Sequence, residues 1–219
     1  MHQALPILLV AGLELWLAGV LPWWAAWLVG WVGLSTLVAG LAYVANRPGW
    51  LGKTRPLLRA AMAPYLRFSR LVAATAQRLG HKERDEVAPG IWVGGWPRAG
   101  APGLAQLDLT AELPRRGEAL AYTCVPMLDG RGMSPGAFAQ AMVQARAWRA
   151  AGHPVLVHCA YGHGRSVSVA CALLVVEGVD PDLDTAEARV RALRPRAGIR
   201  TYQRSVVESW LRSQARRSQ

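Results

Sequence analysis

Residues 158 to 166 read HCAYGHGRS and follow directly on the apolar run PVLV at 154 to 157. Those nine positions hold two glycines, two histidines, an arginine, a serine and one of only three cysteines in the chain. An apolar run with no polar alternation predicts a short strand buried on both faces, and therefore a central one. After the nine residues, SVSVACALLVVEG from Ser166 predicts a mostly apolar helix. The stretch thus joins the carboxyl end of a central strand to the amino end of a buried helix. In open α/β sheets anions bind at that place, because the first N–H groups of the helix lack partners and its dipole is positive there.

Gly162 and Gly164 let a short loop curl until successive amides point inward, as a nest for a phosphate-sized oxyanion. Cys159 falls at the base of that nest, where the amides and the guanidinium of Arg165 favour the thiolate. A thiolate facing a bound phosphoryl group is a nucleophile. Arg165 can turn back over the loop and grip two phosphoryl oxygens with its planar fork, which Lys cannot do. Metal binding by His158, Cys159 and His163 fits no tetrahedral zinc spacing with a fourth ligand nearby, so no metal is expected.

Cys159, five residues, Arg165 and Ser166 spell C-x5-R-[ST], which resembles the signature of the cysteine-dependent protein tyrosine phosphatase superfamily. The longer VHCAYGHGRS is similar to its dual-specificity branch. GIWVGGWP resembles that family's opening strand, LTAELP a loop after its next strand, and VPMLDG the segment bearing its general acid. The similarity runs over most of residues 86 to 212. It implies a two-step hydrolysis through a cysteinyl-phosphate on Cys159, with no cofactor. It also implies a phosphate cradle formed by Ala160, Tyr161, Gly162, His163 and Gly164 with Arg165, the Tyr161 and His163 side chains lying at the rim.

The resemblance further implies Asp129, 30 residues before Cys159, as the general acid. Alone, Asp129 before Gly130 reads as an Asx turn; Asp108 is a rival inside an expected strand. Ser166 would hydrogen-bond the sulfur and help it leave, while its local reading is that of a helix-start residue. His158 would orient the loop, although a lone histidine there reads as a core residue. A sulfurtransferase loop also sets a cysteine at a helix start but does not end in Arg-Ser. Low-molecular-weight phosphatases place the loop after the first strand, whereas at least three strands precede it here. The non-enzyme alternative is a catalytically weak adaptor that only binds phosphorylated partners; with Cys159, Arg165, Ser166 and Asp129 all present, no residue favours it.

Around the loop, IWVGGW (91 to 96), LAQLDLT (104 to 110) and LAYTCVPM (120 to 127) predict strands. SPGAFAQAMVQARAWRAAG predicts a helix capped by Ser134, with Pro135 at its first position and a stop at Gly152. Further helices are expected over about 184 to 193 and 201 to 212. The fold class is α/β: a phosphatase-like three-layer fold, with a central, mostly parallel sheet flanked by helices, over residues 86 to 219. Cys124 and Cys171 fall in a strand and a buried helix, as small apolar residues do.

The rest of the chain differs in character. Leu5 to Leu21 and Trp23 to Val44 are apolar runs of 17 and 22 residues with Glu14 as their one charge. As helices they would reach roughly 25 and 33 Å, enough for each to cross a bilayer, the first barely. Pro22 marks the break, and Trp23, Trp24 and Trp27 suit a headgroup interface. Residues 1 to 46 therefore read as a transmembrane helical hairpin, ahead of a signal peptide, for which the basic start is missing. Residues 47 to 85 read as a basic juxtamembrane segment: from Arg47 to Arg84 there are nine basic residues against one acid, Glu83. Such a block stays on the cytoplasmic side and lies along the membrane surface, interrupted near Pro64. It accounts for the net charge of +11 without nucleic acid, whose recognition motifs are missing. The expected partners are the membrane and a phosphorylated protein or phospholipid substrate.

Overall fold

The computed structural model describes residues 4–51, 55–79, 82–130 and 133–217. Contacts divide the chain into two compact units. The first comprises residues 1–74, 111–114 and 128–131. Its helices α1 (Ala4–Val20) and α2 (Trp23–Ala45) are separated by Leu21 and Pro22. Pro22 cannot continue α1, and its carbonyl instead accepts from the N–H groups of Ala25 and Ala26 at 2.9 Å, starting α2. The two helices approach closely because α2 carries glycines where they meet. A Cβ at Gly40 would lie 2.6 Å from Leu8 Cδ2, and one at Gly33 2.9 Å from Leu15 Cγ.

Helix α2 ends at Asn46, whose φ of 51° is left-handed, and Arg47 N–H then closes on Ala42 O at 2.9 Å. A 3-10 turn (Pro48–Leu51) leads to α3 (Pro56–Ala61) and α4 (Ala63–Arg78), broken at Met62 just ahead of Pro64, as the sequence predicts. Met62 and Leu66 pack with Ala39, Ala42, Tyr43 and Leu51, and Trp31 Nε1 donates to Ala61 O at 2.8 Å. The outer faces of α1 and α2 are apolar and open: Leu9, Leu13, Trp16, Trp23, Trp27 and Leu28 are all more than half exposed. Among the described helices, α2, with 23 residues, alone has the length and composition to cross a membrane. Two spans were expected; α1, at 17 residues, lies at the lower limit of what crosses a bilayer and does not join α2 as a candidate span.

The second unit comprises residues 75–110, 115–127 and 132–219. Its sheet runs β1 (Arg84–Ala88), β2 (Ile91–Gly94), β5 (Val155–His158), β3 (Gly100–Thr110), β4 (Glu118–Met127). The pair β1 and β2 is antiparallel and all others are parallel, with β5 central. Alternation gives the sheet two unlike faces. Leu107, Leu109, Val155, Val157, Ile91 and Val93 enter the apolar core with Phe138, Met142 and Val169, each buried side chain contributing about 1.5–3 kcal/mol. Gln106, Asp108, Thr110 and His158 point to the other face and are buried there too.

Helix α5 (Pro135–Ala150) starts on Ser134, whose Oγ accepts from Ala137 N–H at 3.1 Å. Helix α6 (Arg165–Val176) follows the loop, and α7 (Leu183–Leu193) is capped by Asp182. Helix α8 (Thr201–Arg217) closes the unit, with Trp210 meeting Phe138 edge-on at 5.7 Å. The strand β1 was not anticipated, and it begins two residues before the expected start of this domain.

Candidate active site

The loop from Cys159 to Gly164 joins β5 to α6, as the sequence predicts. Its carbonyls are held from outside one after another. Ala160 O accepts from Trp96 N–H at 3.1 Å and His163 O from Gly198 N–H at 2.8 Å. Tyr161 O and Gly162 O accept from Arg194, through Nη2 at 3.3 Å and Nε at 3.2 Å. Gly164 O accepts from the N–H and hydroxyl of Ser168 at 2.9 and 3.1 Å. In a planar trans peptide C=O and N–H point in opposite directions, and there is no cis bond among the described residues. Five outward carbonyls therefore turn the N–H groups of residues 161 to 165 inward.

Of the two glycines, Gly162 supplies the left-handed residue, at φ 73°, and a Cβ there would sit 2.5 Å from Arg194 Nη2. Gly164 differs from expectation: its φ is −131°. What it supplies is room, since a Cβ there would lie 3.2 Å from the side-chain amide of Gln203.

Cys159 is 3% exposed. Its sulfur accepts from Gly162 N–H at 3.3 Å and lies 3.4 Å from Ser166 Oγ, both polar groups that favour a thiolate. Arg165 is fully buried at the start of α6. Its Nη1 donates to Met127 O at 2.7 Å and to Leu109 O at 3.3 Å, fixing the guanidinium to the ends of β4 and β3. Tyr161 and His163 are half-buried, their rings 6.2 Å apart. His158 is buried on the polar face, with Nε2 2.9 Å from the amide nitrogen of Gln106.

Asp108 sits in β3 and is committed to structure: Oδ1 accepts from Thr110 N–H and Oγ1 at 2.8 and 2.7 Å, and Oδ2 from Tyr122 O–H at 2.8 Å. Burial, then the Asp108 charge, pushes the Tyr122 phenol well above its ordinary range. Burial likewise raises the Cys171 thiol, keeping it neutral in α6. Asp129 lies in the first unit, two residues past β4, half-buried, with Oδ1 accepting from Gly130 N–H at 3.1 Å. That bond is to the next residue, one short of the i to i+2 contact that defines an Asx turn. Among arginines elsewhere in the second unit, Arg98 donates to Gln77 O at 2.9 Å and Arg200 is exposed.

Two residues at the loop were missed in sequence. Arg194 follows α7 and is 4% exposed, although it sits among the surface arginines Arg191 and Arg196. Gln203 in α8 is 1% exposed, its Oε1 accepting from Arg200 N–H at 3.1 Å. The signal for Arg194 was weak: an arginine before proline at a helix end.

No protein-family model and no curated protein sequence matches the chain. Among solved structures, human DUSP28 is similar over 61% of this chain and 96% of its own, at 22% identity and a TM-score of 0.53. A mouse dual specificity phosphatase complexed with zinc tungstate is similar over 62% of this chain and 90% of its own, at 21% identity and 0.52. PTPMT1 in complex with PI(5)P is similar over 63% of this chain and all of its own, 100%, at 14% identity and 0.51. The second unit, with a cysteine loop between its central strand and a buried helix, has the fold of the dual-specificity branch of the cysteine-dependent protein tyrosine phosphatases.

Proposed function

We propose that the chain is a membrane-anchored phosphatase that hydrolyses phosphate monoesters through a cysteinyl-phosphate on Cys159. The observation that carries this reading is the ring of outward carbonyls, which leaves five inward amides around a buried sulfur. Such a cup suits three phosphoryl oxygens. Arg165, its Nη1 held by two backbone carbonyls, is the planar fork that grips two of those oxygens.

In the first step the sulfur attacks phosphorus, the S–P bond forms as the P–O ester bond breaks, and Asp129 gives its proton to the leaving oxygen. In the second, water attacks phosphorus and its proton goes to the Asp129 carboxylate. The S–P bond breaks, inorganic phosphate departs, and Ser166 donates to the returning thiolate. Ala160, Tyr161, Gly162, His163 and Gly164 form the cradle, and His158 orients it.

The anchoring reading rests on the open apolar faces of α1 and α2, where Leu9, Leu13, Trp16, Trp23, Trp27 and Leu28 are each more than half exposed. Helix α2 spans the bilayer, α1 packs beside it within the lipid, and the basic segment from Arg47 to Arg84 keeps the catalytic unit on the cytoplasmic side. Helix α4 lies on the surface, its exposed Phe68, Leu71 and Val72 flanked by exposed Arg67 and Arg78. An active site tethered there meets membrane substrates at high effective concentration. Phospholipid headgroups and membrane phosphoproteins are both open to it. The PI(5)P in the PTPMT1 structure supports the lipid arm.

The test is turnover of p-nitrophenyl phosphate in EDTA. Activity should persist, be blocked by vanadate and vanish in Cys159→Ser; dependence on added metal would sink the mechanism. Rates on phosphopeptides and on phosphatidylglycerophosphate vesicles, measured side by side, separate the two substrate classes.

A further inference from the structure

An anion nest holds only while its peptides keep their amides inward. A peptide that flips presents its carbonyl to the anion and loses one donor, so each flip both removes attraction and adds repulsion. Gly162 is where flipping is easiest, because glycine reaches both signs of φ at little cost. The peptides on either side of it end in the carbonyls of Tyr161 and Gly162. Both carbonyls are held by one side chain, that of Arg194.

Arg194 is itself fixed from behind. Nη1 donates to Asp85 Oδ2 at 2.7 Å, and Nη2 also reaches Lys82 O at 3.0 Å. The guanidinium is thus spread between the carboxylate and backbone at the start of β1 and two carbonyls of the loop, with only 4% of the side chain exposed. A planar group with five donors can serve four acceptors at once; an ammonium cannot in this geometry.

We propose that Arg194, braced by Asp85, is a positioning residue that locks the two peptides flanking Gly162 with their amides facing the anion. It touches neither substrate nor sulfur and acts through the loop backbone. The proposal rests on the reading of this loop as a phosphate site. It predicts that losing Arg194 weakens oxyanion binding and thiolate formation together, because Gly162 N–H is also the donor to Cys159 Sγ.

The experiment compares wild type, Arg194→Lys, Arg194→Met and Asp85→Asn, each full-length in detergent. Vanadate inhibition of p-nitrophenyl phosphate turnover reports the oxyanion, the pH profile of Cys159 alkylation by iodoacetamide reports the thiolate without substrate, and thermal melting reports the fold. For Arg194→Met, vanadate should bind about tenfold or more weaker and alkylation should move to higher pH. Arg194→Lys should recover part of both, and Asp85→Asn, which keeps the donors but loosens them, should shift both less and in the same direction. Glu177→Gln, which breaks the remote ion pair with Arg149, is the control for mere destabilisation: it should lower melting without moving alkylation. Folded Arg194→Met with wild-type vanadate affinity and alkylation profile overturns the proposal. Should that variant fail to fold, unchanged profiles in both Arg194→Lys and Asp85→Asn overturn it equally. Wild-type protein that neither binds vanadate nor alkylates below the ordinary thiol range would remove the phosphate reading itself, and the role of Arg194 with it.

Discussion

Ser166 Oγ lies 3.4 Å from Cys159 Sγ, and both residues are buried where the loop becomes helix α6. At this position the hydroxyl can donate to a thiolate but not to a sulfur already bonded to phosphorus with the same strength. The contact therefore favours the second step, in which the thiolate leaves. Ser166→Ala should slow breakdown of the cysteinyl-phosphate by on the order of 10² while leaving its formation nearly intact. Stopped-flow release of p-nitrophenol should then show a burst equal to the enzyme concentration. A slowed rate with no burst would place Ser166 in the first step instead.

The two loop glycines should respond unequally. At Gly162 the added methyl meets Arg194 Nη2 at 2.5 Å and the backbone carbon of Gly94 at 2.6 Å, in a left-handed conformation besides. At Gly164 it meets only the Gln203 amide, at 3.2 Å. Gly162→Ala should cost about 1–3 kcal/mol in melting experiments and most of the activity, and Gly164→Ala clearly less of each. Equal losses would mean that the loop adjusts as one body, contrary to the separate contacts.

How much of this was legible in sequence follows from the range of each interaction. The strand before Cys159, the helix after it and the cap at Ser134 are local patterns, and the structure has them within a few residues. Strand β1 escaped because Arg84, Asp85 and Glu86 give it a charged, half-open edge that continues the composition of the basic segment. Arg194 escaped because nothing in RALRPRAG separates a buried arginine from exposed ones; only the fold carries it to a loop over thirty residues earlier in the chain. Gly164 was read as a conformational residue because spacing cannot reveal that Gln203 occupies the space beside it. The hairpin turn at Pro22 was legible, whereas whether α1 reaches across a bilayer turns on a single helical turn of length.

Tyr122 offers a pH-dependent check on the polar face of the sheet. Its hydroxyl donates to buried Asp108, and its folded phenol ionises well above the ordinary value while the unfolded one ionises near pH 10. Below about pH 10 both states are protonated and the contribution to stability is complete. As pH rises beyond it the unfolded chain releases the proton first, and the contribution falls. Tyr122→Phe should lose about 1 kcal/mol near neutrality, and its deficit against wild type should shrink in melts taken at increasing pH above 10. A constant deficit would mean that the hydrogen bond contributes nothing titratable.

Asp129 carries the remaining chemical assignment. As a backbone acceptor alone, taking the N–H of Gly130 in the turn after β4, it would influence only loop stability, and its replacement would slow every substrate alike. As a general acid it matters in proportion to the basicity of the leaving oxygen, because a good leaving group departs without a proton. Asp129→Asn keeps the acceptor oxygen for the turn and removes the proton, so it separates the two roles. Turnover of alkyl phosphates should fall by about 10²–10⁴, and turnover of activated aryl phosphates by much less. The dependence of kcat/KM on leaving-group pKa should steepen correspondingly. Parallel losses across the series would leave Asp129 with its turn and remove it from the chemistry.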